Sequence, residues 1–258
     1  MSGVFAYDGG LAANGTAPTV VLLHGAGMDH TVWHHLTRYL AHRGWRVLAF
    51  DLPGHGRTTG PNLESVEDMA DWVMAFLMAA GVGNFCLVGH SLGGLIALRL
   101  ASACHRVDRL VLMAAAAEMG VHPDLQGAAD AGEEKAVEFI LSWSFGATDR
   151  RGGHSDPGTS ALAIARRILR RGLPTSLATD LRATKAYRSG ADDARLIRCK
   201  TLVLMGGEDR MVDAGASAQL AALVPRGRLE VVPGGGHMLM ISRPDEMRKS
   251  VVNFLAAE

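Results

Sequence analysis

Cysteine is scarce, occurring only at Cys86, Cys104 and Cys199. An odd, widely spaced set supplies neither a disulfide framework nor a metal-ligand cluster, and it suits reduced thiols in a cytosolic protein. An excess of either charge is also missing. Lys+Arg and Asp+Glu both number 26. A nucleic-acid binder would normally carry a basic surplus or stripe, so no nucleic-acid partner is expected. No apolar run approaches the roughly 20 residues that a membrane span needs. The opening MSGVFAYDGG has no basic start and no apolar core, so it does not read as a signal peptide. These absences predict a soluble cytoplasmic protein with no membrane partner.

What is present is a balanced globular composition, 48% hydrophobic and 20% charged, over 258 residues. That length suits one large α/β domain or two small ones. Short apolar, partly β-branched runs alternate with helical patterns. Strands are predicted at Thr19–Leu23, Arg46–Phe50, 85–88, 110–113, 201–205 and 229–232, and helices at 31–43, 65–80, 92–103, 214–223 and 245–256. Ser65 reads as an N-cap, with Asp68 where a capping box would place Glu. Continuously apolar strands separated by helices imply a mostly parallel central sheet covered by helices on both faces.

Residues 118–197 break that rhythm. They hold no convincing buried strand but three helical patterns, at 131–143, 160–171 and 174–188. Asp130 and Glu133 resemble a capping box before the first. The segment reads as a helical lid inserted between core residues 1–117 and 198–258.

Gly89-His90-Ser91-Leu92-Gly93 fits G-x-S-x-G, between the run FCLV and the apolar helix that starts at Leu92. That context gives the motif meaning: a strained strand-to-helix turn lifts a serine hydroxyl clear of the sheet. Side chains two positions to either side would collide with backbone. The amide after the serine, that of Leu92, stays free at a helix N-terminus to bind an oxyanion.

On these residues, with His24-Gly25, Asp51-Leu52-Pro53-Gly54-His55-Gly56, Gly207-Glu208-Asp209 and Gly236-His237, the chain resembles the α/β-hydrolase superfamily, in its lid-bearing branch of small serine esterases. The resemblance spans nearly the whole chain, with the first family strand reduced or missing. It implies a serine nucleophile, an acid and a histidine in that order.

A serine hydroxyl needs a base to take its proton. Among eleven histidines, His237 stands in a glycine loop after a strand and is the candidate. His24, His55 and His90 sit inside the motifs, where their expected work is bracing loops; His154 and the remaining histidines read as surface or local contacts. Asp209, at a strand end between serine and histidine, is the candidate acid. Glu208 and Asp213 compete locally, and Glu118 competes because some relatives place the acid one core strand earlier. The resemblance assigns the second oxyanion donor to the amide of Ala26. No metal-ligand spacing or dinucleotide fingerprint is found, so neither metal nor cofactor is expected.

Met28, Met211 and Met238 flank the expected site, and Phe139 and Trp143 lie on the first lid helix. These five are the candidate pocket, suited to a small or medium apolar acyl group. Arg166, Arg167, Arg170 and Arg171 form a basic cluster, either solvated helix surface or a dock for a carrier-bound acyl substrate. The main expectation is a carboxylic ester hydrolase. A carbon–carbon hydrolase, lyase or perhydrolase with the same triad, or a ligand-binding receptor on this scaffold, are the alternatives.

Overall fold

The computed structural model describes residues 3–11, 17–153 and 158–257; His154 lies outside them. Seven strands form one sheet: β1 Ala6–Tyr7, β2 Thr19–Leu23, β3 Arg46–Phe50, β4 Phe85–His90, β5 Val107–Met113, β6 Lys200–Gly206 and β7 Gly227–Val232, in the order β1-β3-β2-β4-β5-β6-β7. All pairings are parallel except that of the two-residue β1 with β3.

Alternation along the strands divides the core. Val20 and Leu22 of β2, Val111 of β5 and Leu202 and Leu204 of β6 face one way. Val21 and Leu23, Leu110 and Leu112, and Val203 face the other. Both faces of the central strands are buried, which is why those strands read as unbroken apolar runs, whereas the edge strand β7 leaves Leu229 and Val231 exposed. A 3₁₀ turn (His30–Trp33) leads into α1 (His34–Ala41). Helices α2 (Val66–Ala79) and α3 (Leu92–Ala103) follow. Ser65 caps α2, its Oγ accepting from Asp68 N–H at 3.0 Å and donating to Asp68 Oδ2 at 2.7 Å.

Between β5 and β6 run α4 (Pro123–Asp130), α5 (Glu134–Ser144), α6 (Ala147–Arg150), α7 (Ala161–Gly172), α8 (Leu177–Ala186) and α9 (Gly190–Leu196). The anticipated Asp130/Glu133 capping box does not form: Asp130 ends α4, and Glu133 precedes α5 with no side-chain cap. Pro174 falls ahead of α8 rather than in its first turn. Tyr187, Ala194 and Ile197, in and beside α9, pack with α3 in the main core rather than with the helices before them. The chain closes with α10 (Ala214–Leu223), α11 (Leu239–Ser242) and α12 (Pro244–Ala256). No helix among the described residues is long and apolar enough to cross a membrane.

The strand order locates the site. From β2 the chain moves outward to β3, then returns to β4 on the opposite side of β2. Loops leaving β2 and β4 therefore diverge, and a crevice opens at their carboxyl ends, the usual ligand position in such sheets.

Candidate active site

Ser91 sits in that crevice, one residue past β4. Its backbone has φ 52° and ψ −118°, a left-handed conformation that costs on the order of 1–3 kcal/mol for a side-chain-bearing residue. The surroundings impose it. A Cβ on Gly89 would lie 2.0 Å from the Gly93 oxygen, and one on Gly93 would lie 2.3 Å from the Leu23 oxygen. The turn can thus close against β2 only with glycine at both places. Ser91 N–H donates to Met113 O at 2.9 Å, which ties the turn to β5. Leu92 begins α3, where first-turn N–H groups lack intrahelical acceptors. Ala26, after β2, lines the same cavity as Ser91.

His237 is buried in the loop after β7. Its Nδ1 donates to Asp209 Oδ2 at 2.9 Å. The other oxygen, Oδ1, accepts the N–H groups of Met211 (2.8 Å) and Val212 (3.0 Å). Burial alone would raise the Asp209 carboxyl. The charge and hydrogen bond of His237, with the two backbone donors, outweigh it and hold the group below its ordinary value. Asp209 is therefore an anion that fixes the proton on Nδ1 and leaves Nε2 as an acceptor. The rivals are engaged elsewhere. Glu118 pairs with Arg188 at 3.3 Å, Glu208 accepts from Ala147 N–H at 2.7 Å, and Asp213 caps α10.

Two backbone carbonyls at the end of α5 hold these loops. His237 N–H donates to Ser144 O at 2.8 Å, and Arg210 N–H donates to Trp143 O at 3.2 Å. The last carbonyls of a helix lack intrahelical donors, so these loops satisfy them.

The motif histidines brace the loops. His24 Nδ1 donates to Gly25 O (2.9 Å) while its Nε2 accepts from Leu52 N–H (3.1 Å). His90 Nε2 donates to His237 O at 3.0 Å. His55 Nε2 donates to Asp180 Oδ2 at 2.8 Å, and that same oxygen accepts from Gly27 N–H at 2.7 Å. Asp180, on α8, is fully buried and joins the helical insert to the loop that carries Ala26. At the end of α7 a Cβ on Gly172 would stand 2.1 Å from the Gly27 oxygen, so the insert and that loop meet backbone to backbone.

These histidines set a pH dependence. Burial first, then the neighbouring His55, pushes His24 down to about 4. Burial first, then His237, pushes His90 down to about 3. Both bind protons on unfolding below their ordinary 6.5, so their contribution is complete above that pH and is lost as pH falls. His55 behaves oppositely. Burial would lower it, but Asp180 outweighs burial and raises it. Its contribution is complete below 6.5 and fades as pH rises through the raised value. The unfolding free energy should peak near pH 6.5 and decline on both sides, the acid limb starting well above the carboxylate range. Urea melts at about pH 5, 6.5 and 8 check this; a flat acid limb would contradict neutral, buried His24 and His90.

A cavity of about 410 Å³ lies over Ser91 and His237, within the usual range for small-molecule sites. Met28, Trp143, Met211 and Met238 line it. Phe139 does not. It stacks behind Trp143, with ring centroids 5.2 Å apart and planes 16° from parallel, because one α5 turn separates the two rings. Sequence reasoning missed Leu181, Arg210 and His122, which also line the cavity. Asp180 was missed too, though it falls on the stripe Leu177, Leu181, Thr184 of α8, where an acid among apolar positions is a readable signal. Of the arginine cluster, Arg166 pairs with Glu138, Arg170 with Glu134 and Arg171 with Asp29. Arg167 has no ion pair among the described residues.

Asp29, His30 and Asp51 are, among the described residues, the one group spaced to hold a metal ion. Their donor atoms are already engaged: Asp29 by Thr31 and Arg171, and Asp51 by the His30 ring and the N–H groups of His30 and Arg57.

Residues 18–244 match the family model described as the alpha/beta hydrolase fold. The pimeloyl-[acyl-carrier protein] methyl ester esterase of Nitrosomonas europaea is 30% identical, over 92% of this chain and 95% of that protein. The 2-hydroxy-6-oxo-2,4-heptadienoate hydrolase of Pseudomonas putida is 32% identical, over 97% of this chain and 95% of that protein. Among solved structures, the enol-lactonase from Burkholderia xenovorans LB400 superposes with a TM-score of 0.85 at 25% identity, over 98% of this chain and 97% of that one.

Proposed function

The chain belongs to the alpha/beta hydrolase fold family, and from that premise we propose that it is a serine esterase whose nucleophile is Ser91, base His237 and acid Asp209. The observation that carries this reading is the Asp209–His237 hydrogen bond opening into the same cavity as the strained Ser91. Ser91 Oγ attacks the ester carbonyl carbon while its proton passes to His237 Nε2. The amides of Ala26 and Leu92 hold the resulting oxyanion. The carbon–oxygen bond to the leaving alcohol breaks as His237 returns the proton to that oxygen. Water, deprotonated by His237, then releases the acid and restores Ser91. Asp209 stays ionised and steadies the imidazolium.

Methionine-rich, apolar walls support a small or medium apolar acyl group, and helices α4–α8 act as a lid over it. The setting is cytoplasmic, in keeping with three free cysteines. Hydrolysis of nitrophenyl esters from acetate to palmitate, by the wild type and by Ser91→Ala, tests the reading. The wild type should turn over with an optimum at short to medium chains, and the variant should lose about 10⁴-fold or more. Equal rates for the two would remove Ser91 from the chemistry.

A second reading, carbon–carbon bond hydrolysis with the same residues, draws support from the similarity to the P. putida enzyme. Turnover of a vinylogous diketone with inertness toward nitrophenyl esters would favour it. A carrier-bound ester is suggested by the N. europaea enzyme. On α7 only Arg167 of the four arginines is without an acidic partner among the described residues, so carrier docking would lean on Arg167 and on opening the other three pairs. Charge reversal at Arg167 should then raise KM for carrier-bound substrate and not for a small free ester.

A further inference from the structure

We propose that the cavity over Ser91 recognises esters whose acid portion ends in a second carboxylate, and that Arg210 binds that carboxylate. This rests on the serine-esterase reading and names its substrate class. The cavity wall is largely apolar, with Ile140, Trp143 and Leu181 among its residues, and no Asp or Glu among the described residues lines it. Arg210 is the one Lys or Arg among the described residues of the lining. The chain as a whole carries equal numbers of acidic and basic residues, so this one-signed lining does not follow from composition.

Arg210 has no ion pair among the described residues. The acids beside it in sequence are committed: Asp209 to His237, Glu208 to Ala147 N–H, and Asp213 to the start of α10. Its backbone is anchored through the bond to Trp143 O, so the side chain starts from a fixed point on the wall. His122 adds a donor. Its Nδ1 accepts Asp124 N–H at 3.2 Å, which places the ring proton of the neutral form on Nε2. Asp124, whose Oδ2 lies 3.9 Å from His122 Nδ1, is solvent-exposed on α4.

A guanidinium presents a planar fork that matches a carboxylate with two parallel hydrogen bonds. Arg210 is solvent-exposed, so the two-bond match to a carboxylate, rather than an unscreened field, is what it offers. A ligand that spans from Ser91 to Arg210 would lay a short methylene chain along the methionines and Trp143, with its second carboxylate on Arg210.

The test compares monomethyl adipate with methyl hexanoate, which replaces the free carboxylate by a methyl group. Arg210→Gln should lower kcat/KM for the half-ester roughly tenfold or more beyond any loss on the neutral ester, chiefly through KM. Equal losses on both esters would overturn the proposal. In parallel, adipate binding is measured calorimetrically on Ser91→Ala and on Ser91→Ala/Arg210→Gln. Saturable binding, weakened roughly tenfold or more by the second substitution, supports the carboxylate site. No binding, or binding indifferent to Arg210, overturns it. If the wild type hydrolyses neither ester, the esterase reading fails, and the adipate titrations alone decide the carboxylate site.

Discussion

Asp209→Asn should lower kcat on an activated ester by about 10⁴-fold while leaving the protein folded. The direction follows from which oxygen does what. Oδ1 accepts two backbone N–H groups, from Met211 and Val212. Those donors select the amide's remaining oxygen, so its NH₂ turns toward His237. Facing a donor, the imidazole moves its proton to Nε2 and can no longer take one from Ser91. Steady-state kinetics measure the loss, and a thermal melt checks the fold. Activity within tenfold of wild type would move the acid's role elsewhere, with Glu118 the first place to look.

The second large effect is on stability. Asp180→Ala removes the acceptor of both His55 Nε2–H and Gly27 N–H inside a site closed to water. Breaking one side of such a buried pair costs about 3–5 kcal/mol. For a chain of this size that is a fall in Tm of roughly 6–20 °C. Turnover should fall as well, because Gly27 adjoins Ala26. Asp180→Asn should give a smaller fall and flatten the alkaline limb of the stability profile, since the main group raising His55 is then gone. Arg182→Ala, on the same helix and exposed with its partner Asp130, serves as control and should change stability by about 0.5 kcal/mol or less. Similar melts for Asp180→Ala and Arg182→Ala would show that the buried contact contributes little.

How much of this was legible beforehand differs by element. Strands β2 and β3 match to the residue because each is an apolar run ended by a loop signal. Strand β5 begins three residues before its apolar run: Val107 pairs with Phe85 and Arg109 with Cys86 and Lys200, while the polar Asp108 falls at a register shift between them. Ser91, Asp209 and His237 each stand in a loop after a strand, where glycines mark the turn, so their positions were readable from chain order. The insert was harder. Helix α4 offers only the weak signal of Pro123 after His122, and its last residue, Asp130, reads in the sequence as the next helix's cap. Arg210 and Asp180 matter through contacts 67 and more residues away in the chain, which local periodicity cannot encode.

The carbonyls of Trp143 and Ser144 bear on how such a protein can diversify. Because the loops that carry Asp209 and His237 both hang on the end of α5, the insert is not an interchangeable module. A chimera carrying a foreign insert keeps the Asp209 and His237 loops in place only if the graft presents two carbonyls at that same place. Variation in substrate range is therefore cheapest in the side chains of α4 and α8, and most constrained at the α5 terminus.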